Sequence, residues 1–96
     1  MKKRPSYPAK LYVNGREINE IIIDSHYQEK HPDVNDLLIL ELVQKLDGKE
    51  WDPSETKDEW DFFMLDKIPH KGKFYRLVWC MKDSCLFIGV INCFRR

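Results

Sequence analysis

"PDVNDLLILELVQKLDG", Pro32 to Gly48, sets the fold class, and the rest of the chain is read around it. Asp33 stands where an N-cap belongs, with Asp36 three residues on. Leu38, Ile39, Leu42, Val43 and Leu46 recur at helical spacing, and Gly48 takes a C-cap position. Leu37 and Leu40 widen the apolar stripe, which predicts a helix between a sheet and a second covering element. Upstream, "KLYVNGREINEIIID", Lys10 to Asp24, places Asn14-Gly15 between alternating stretches. That dipeptide is a strong signal for a two-residue hairpin turn, with strands at 10–13 and 16–23. Downstream, residues 49–58 are polar, contain Pro53 and read as a loop. Strands follow at 59–66 and 73–81, "KDS" turns the chain, and "CLFIGVINCFRR" closes it. The expectation is an α+β domain in the order β-β-α-β-β-β, an antiparallel five-stranded sheet with one main helix packed on one face.

The chain has 96 residues, enough for one core, so residues 10–96 are expected to form a single domain. Residues 1–9, basic and carrying Pro5 and Pro8, read as a flexible arm. Apolar residues make up 43% and charged residues 33%, a globular rather than a disordered balance. Cys80, Cys85 and Cys93 lack the C-x-x-C spacing of zinc or redox sites, and an odd count without a framework suits a reducing compartment. With no signal-peptide core and no membrane-length apolar run, a cytoplasmic location without membrane contact is expected. Sixteen bases balance sixteen acids, which argues against coating nucleic acid by charge alone. The balance hides a split, however: residues 47–66 hold eight acids and two lysines, and residues 67–96 hold seven bases and one acid. The basic third could meet a polyanion, or the two segments could neutralise each other.

A turn at Asp83-Ser84 would pair Tyr75 with Asn92, Leu77 with Val90 and Trp79 with Ile88 on the core face. Arg76 and Arg95 would then share the opposite face with Phe74, Val78, Cys80, Phe87, Ile91 and Cys93. Two constellations on this plan carry chemistry. The first is "SHYQEKH", Ser25 to His31, with His26, Tyr27, Lys30 and His31. Its histidines are five residues apart, roughly 140° around a helix axis, so they do not form a metal pair by themselves. Histidine titrates near neutrality, so both remain acid-base candidates beside the reading as a solvated turn. The second is Tyr75, Arg76, Asn92, Arg95 and Arg96, where arginines could hold a phosphate and tyrosine could stack on a base. The other reading there is arginines paired with acids or lying over aromatic rings. No motif implies a cofactor or a metal.

"IIIDSHYQEKH" before "VNDLLILELV", with "YRLVW" and "IGVINCFRR" closing the chain, resembles the small RelE-like toxins of bacterial toxin–antitoxin pairs, BrnT-type relatives in particular. The likeness covers roughly residues 18–96. The chain is also similar to small bacterial proteins with an HY..KH turn and a closing IGVIN.(Y/F)RR strand. The toxin resemblance implies an antiparallel sheet that cuts RNA with scattered basic, histidine and tyrosine side chains. His26 and Lys30 would match the basic turn, Arg76 the central-strand arginine and Arg95 the closing-strand arginine.

The resulting expectation is a metal-independent endoribonuclease of the toxin type, with His26, Lys30, His31, Tyr75, Arg76 and Arg95 as catalytic candidates. RNA and a cognate antitoxin are its implied partners. The alternative is a non-catalytic module that binds another small protein through the open sheet face, favoured by neutral net charge and apolar residues on both faces.

Overall fold

Asn14 and Gly15 both have positive φ, 54° and 73°, as a type I′ turn requires. They join β1 (Ser6–Val13) to β2 (Arg16–Ile23) in the first hairpin of a computed structural model that describes residues 4–96. α1 (Tyr27–Lys30), α2 (Asp36–Gln44), β3 (Glu55–Lys57), β4 (Trp60–His70), β5 (Lys73–Lys82) and β6 (Phe87–Arg95) follow. Among the described residues the six strands form one sheet in the order β1-β2-β6-β5-β4-β3. β2 and β6 run parallel and every other pair is antiparallel.

This corrects the expected fold of five antiparallel strands and one main helix. The sheet is mixed because β6 returns to lie beside β2 rather than at an edge, a neighbour relation that local periodicity does not encode. The sixth strand, β3, lies within the stretch read as a loop. Asp58 and Glu59 hold φ values of 53° and 71° without glycine and pair Lys57 with Trp60 across a two-residue turn. Residues 6–9, read as part of an arm, belong to β1, and residues 1–3 of that arm lie outside the described residues.

The main helix is also shorter than expected. Asn35, not Asp33, is the N-cap, its side chain accepting from the Leu38 N–H at 2.8 Å. Asp36 instead receives the hydroxyls of Tyr7 and Tyr27, each at 2.5 Å, which ties α2 to β1 and α1. Leu37 is 67% exposed, so α2 carries no second covering layer there. Ile39, Leu42, Val43 and Leu46 are fully buried against the sheet, each contributing about 1.5–3 kcal/mol of transfer free energy.

Trp79 occupies the middle of the core. Phe63 stacks on it with ring centroids 5.2 Å apart, and Trp51 meets it edge-on at 6.1 Å. The chain after α2 also runs along the outer side of β1. Gly48 N–H donates to Tyr12 O at 2.7 Å and Asn14 N–H to Lys49 O at 3.0 Å. An edge that would otherwise present unpaired backbone is covered in this way.

The register of the last hairpin differs from the expected one. Tyr75 pairs with Arg95, Arg76 with Phe94 and Leu77 with Cys93, and an irregularity between Val78 and Trp79 brings Trp79 opposite Val90. Tyr75, Leu77, Trp79, Ile88 and Val90 do face the core. Cys93 joins them, fully buried, instead of sharing the opposite face with Phe74, and burial pushes its thiol up to about 12. Cys80 lies opposite Gly89.

Candidate functional site on the open sheet face

Pro32 disfavours helical geometry at the residue before it, and α1 stops at Lys30. His31 takes φ −132° and ψ 68°, its N–H closing the turn on Tyr27 O at 2.8 Å. Its ring lands on the sheet face away from α2, stacked on Phe94 with centroids 5.0 Å apart and planes 22° apart. Arg76 pairs with Phe94 across β5 and β6, and its guanidinium lies 5.5 Å from the centre of that ring.

A bulge in β4 completes the group. The ladder shifts between Leu65 and Ile68, with Lys67 at φ 54°, and the Asp66 side chain accepts from the Lys67 N–H at 2.8 Å. Asp66 Oδ2 then takes a hydrogen bond from Arg76 Nη2 at 2.8 Å, and Oδ1 lies 3.0 Å from Arg96 Nε. The Arg76 hydrogen bond, opposed by partial burial and reinforced by the Lys67 N–H and both guanidinium charges, lowers the Asp66 carboxyl to about 2. Asp66 in turn raises Arg76 above the usual arginine value. One carboxylate thus holds two arginines beside an aromatic ring that a histidine also touches.

The six residues singled out in the sequence divide across the fold. His31 and Arg76 meet on Phe94. Lys30 is exposed in the same turn. His26 opens α1, with Nδ1 2.7 Å from Glu29 Oε2 and its N–H on Asp24 Oδ1 at 2.9 Å. Tyr75 is only 6% exposed and faces the core side, so stacking on a base at the open face is not available to it. Arg95 pairs with Tyr75, which places it on the opposite side of the sheet from Arg76 and corrects the expectation that the two arginines share a face. Phe94 and Asp66 are the members that sequence reading did not assign, and Arg96 stood in the second constellation but not among the six catalytic candidates. Nothing local signals that Asp66 would reach it across a bulge.

Farther along the same face, Ile22, Trp60, Phe62, Phe87 and Ile91 line an apolar groove of about 560 Å³ whose charged residues are Arg4 and Asp24. Gly89 and Cys80 also line it, and a Cβ on Gly89 would stand 3.0 Å from Cys80 Sγ. Burial raises the Cys80 thiol above the usual cysteine value. Among the described residues no three His, Cys, Asp or Glu side chains converge as a metal-binding group. Among the described residues no helix is long and apolar enough to cross a membrane. No protein-family model, curated protein or solved structure matches the chain.

Proposed function

We propose that the chain is an RNA-directed, metal-independent endoribonuclease of the toxin type, acting at His31, Phe94, Arg76, Asp66 and Arg96. The observation that carries this reading is the meeting of His31 and Arg76 on one exposed-side ring. In the proposed step His31 removes the proton of a ribose 2′-hydroxyl, whose oxygen attacks the adjacent phosphorus. The 5′-oxygen leaves and takes a proton from water, giving a cyclic 2′,3′-phosphate and a 5′-hydroxyl. Arg76 and Arg96, oriented by Asp66, meet the charge that grows on the phosphate, while Phe94 and the half-exposed Phe74 offer surfaces for base stacking.

His26, Tyr75 and Arg95 have no direct part in this step. Expression of the protein is expected to arrest growth, and His31→Ala or Arg76→Ala to relieve the arrest with the variant still folded. Relief by Arg95→Ala, with Arg76→Ala still toxic, would overturn this assignment.

A second reading rests on the apolar groove. Trp60, Phe62, Phe87 and Ile91 suit a protein segment with apolar side chains. Harmless expression, with one co-purifying protein lost on Ile91→Asp, is the outcome that favours a non-catalytic binding module.

A further inference from the structure

On the other side of the sheet, the core stops short of the β4–β5 turn. Lys71 and Gly72, with φ 50° and 81°, make that turn and pair His70 with Lys73. Cross-strand partners share a face, so His70 and Lys73 lie on the same side as the neighbouring pair Ile68 and Tyr75. The first turns of α2 stand opposite, leaving a pocket of about 270 Å³ between helix and hairpin.

The polar groups around this pocket are mostly donors. Asn35, His70, Lys71, Lys73 and Tyr75 line it, and Glu41 is its one acid. Glu41 is already shared: its Oε2 lies 3.5 Å from His70 Nε2 and 4.0 Å from Lys71 Nζ. The His70 side chain is 12% exposed, and its Nε2 is buried without a hydrogen-bond partner among the described residues. A buried ring nitrogen in that state favours a group that completes its hydrogen bonding. With Glu41 balancing one lysine, the remaining lysine gives the pocket an excess positive charge. Leu37 and Leu38 supply an apolar wall beside these groups.

We propose that this pocket binds a phosphate monoester with a small apolar or aromatic body. Lys71 and Lys73 hold the phosphate, His70 donates to it from the pocket wall, and the body lies against Leu38 and Tyr75. The site is independent of the proposed ribonuclease function, because Tyr75 and Arg76 point to opposite faces of β5.

The test uses phenyl phosphate titrated into the full chain, followed by amide NMR spectra. Saturable shifts are expected at residues 35–41 and 70–75. Lys73→Ala, an exposed change with little effect on folding, should weaken binding at least tenfold, and Lys71→Ala should also weaken it. Lys57→Ala, an exposed change on β3 that lines neither site, should leave it unchanged. Absence of saturable shifts, shifts centred on Arg76 and Arg96, or equal binding by the lysine variants would each overturn the proposal.

Discussion

Replacing Tyr27 by Phe removes one hydroxyl from a side chain that is 1% exposed and leaves the ring in place. The principal bond lost is the 2.5 Å contact to Asp36 Oδ1, together with a longer 3.3 Å bond accepted from Gln28 Nε2, while Tyr7 still donates to Oδ2. A hydrogen bond to a charged partner contributes about 1.5–3 kcal/mol, so Tyr27→Phe should lower stability by roughly that amount at neutral pH. In a domain of this size a 2 kcal/mol loss is about 8–16 °C in Tm. The same bond has a signature in pH. Burial first, and then the hydrogen bond to Asp36, raise the Tyr27 hydroxyl from 10.0 to about 12. A raised acid contributes stability that is full below its unfolded value and is lost as pH climbs through the folded one. That rise corresponds to about 2.7 kcal/mol. The wild-type protein should therefore lose this stability between pH 10 and 12, whereas Tyr27→Phe has no such loss to make. Urea unfolding at pH 7, 10, 11 and 12 should show the gap between the two proteins closing as pH rises. Cys93, which burial also raises to about 12 and whose charge adds to the rise of Tyr27, is replaced by Ala in both proteins so that the difference reports Tyr27 alone. A gap under about 0.5 kcal/mol at pH 7, or one that stays constant to pH 12, would refute the reasoning.

Acid should test the other carboxylate. Asp66 is lowered from 3.8 to about 2, so its contribution is present above pH 4 and lost as pH falls toward 2, and Asp66→Asn should flatten that part of the unfolding profile. Gly89→Ala should destabilise the protein by pressing a methyl group to 3.0 Å from Cys80 Sγ, and adding Cys80→Ala should restore part of the loss in thermal melts, a non-additive pair. Gly15→Ala should cost roughly 1–2 kcal/mol in urea titration, because its φ of 73° disfavours a Cβ.

What could be read along the chain depended on whether the controlling contact was local. The Asn14-Gly15 turn and the bounds of β2 follow from neighbouring residues and match the expectation. Leu77 and Trp79 face the core as expected, alternating with the less buried Arg76, Val78 and Cys80. The helix start moved from Asp33 to Asn35, where Asp36 is fixed by tyrosines from two other elements. β3 escaped notice because Asp58 and Glu59 adopt a turn usually built with glycine or asparagine. One shift in the ladder at Val78/Trp79 carried Arg95 away from Arg76 and put Cys93 into the core. For the site, His31 and Arg76 were visible as residue types, but Phe94 and Asp66 gain their roles only from cross-strand pairing and a bulge.

The central claim is chemical, and purified protein tests it most directly with a single-stranded RNA oligonucleotide and its 2′-deoxy counterpart. The account predicts cleavage of the RNA to cyclic 2′,3′-phosphate ends and no cleavage of the 2′-deoxy strand. His31→Ala should lower the rate at least about 100-fold, the scale of a lost general base, while melting like the wild type. No cleavage by the wild-type protein, or a rate that His31→Ala leaves unchanged, would contradict it.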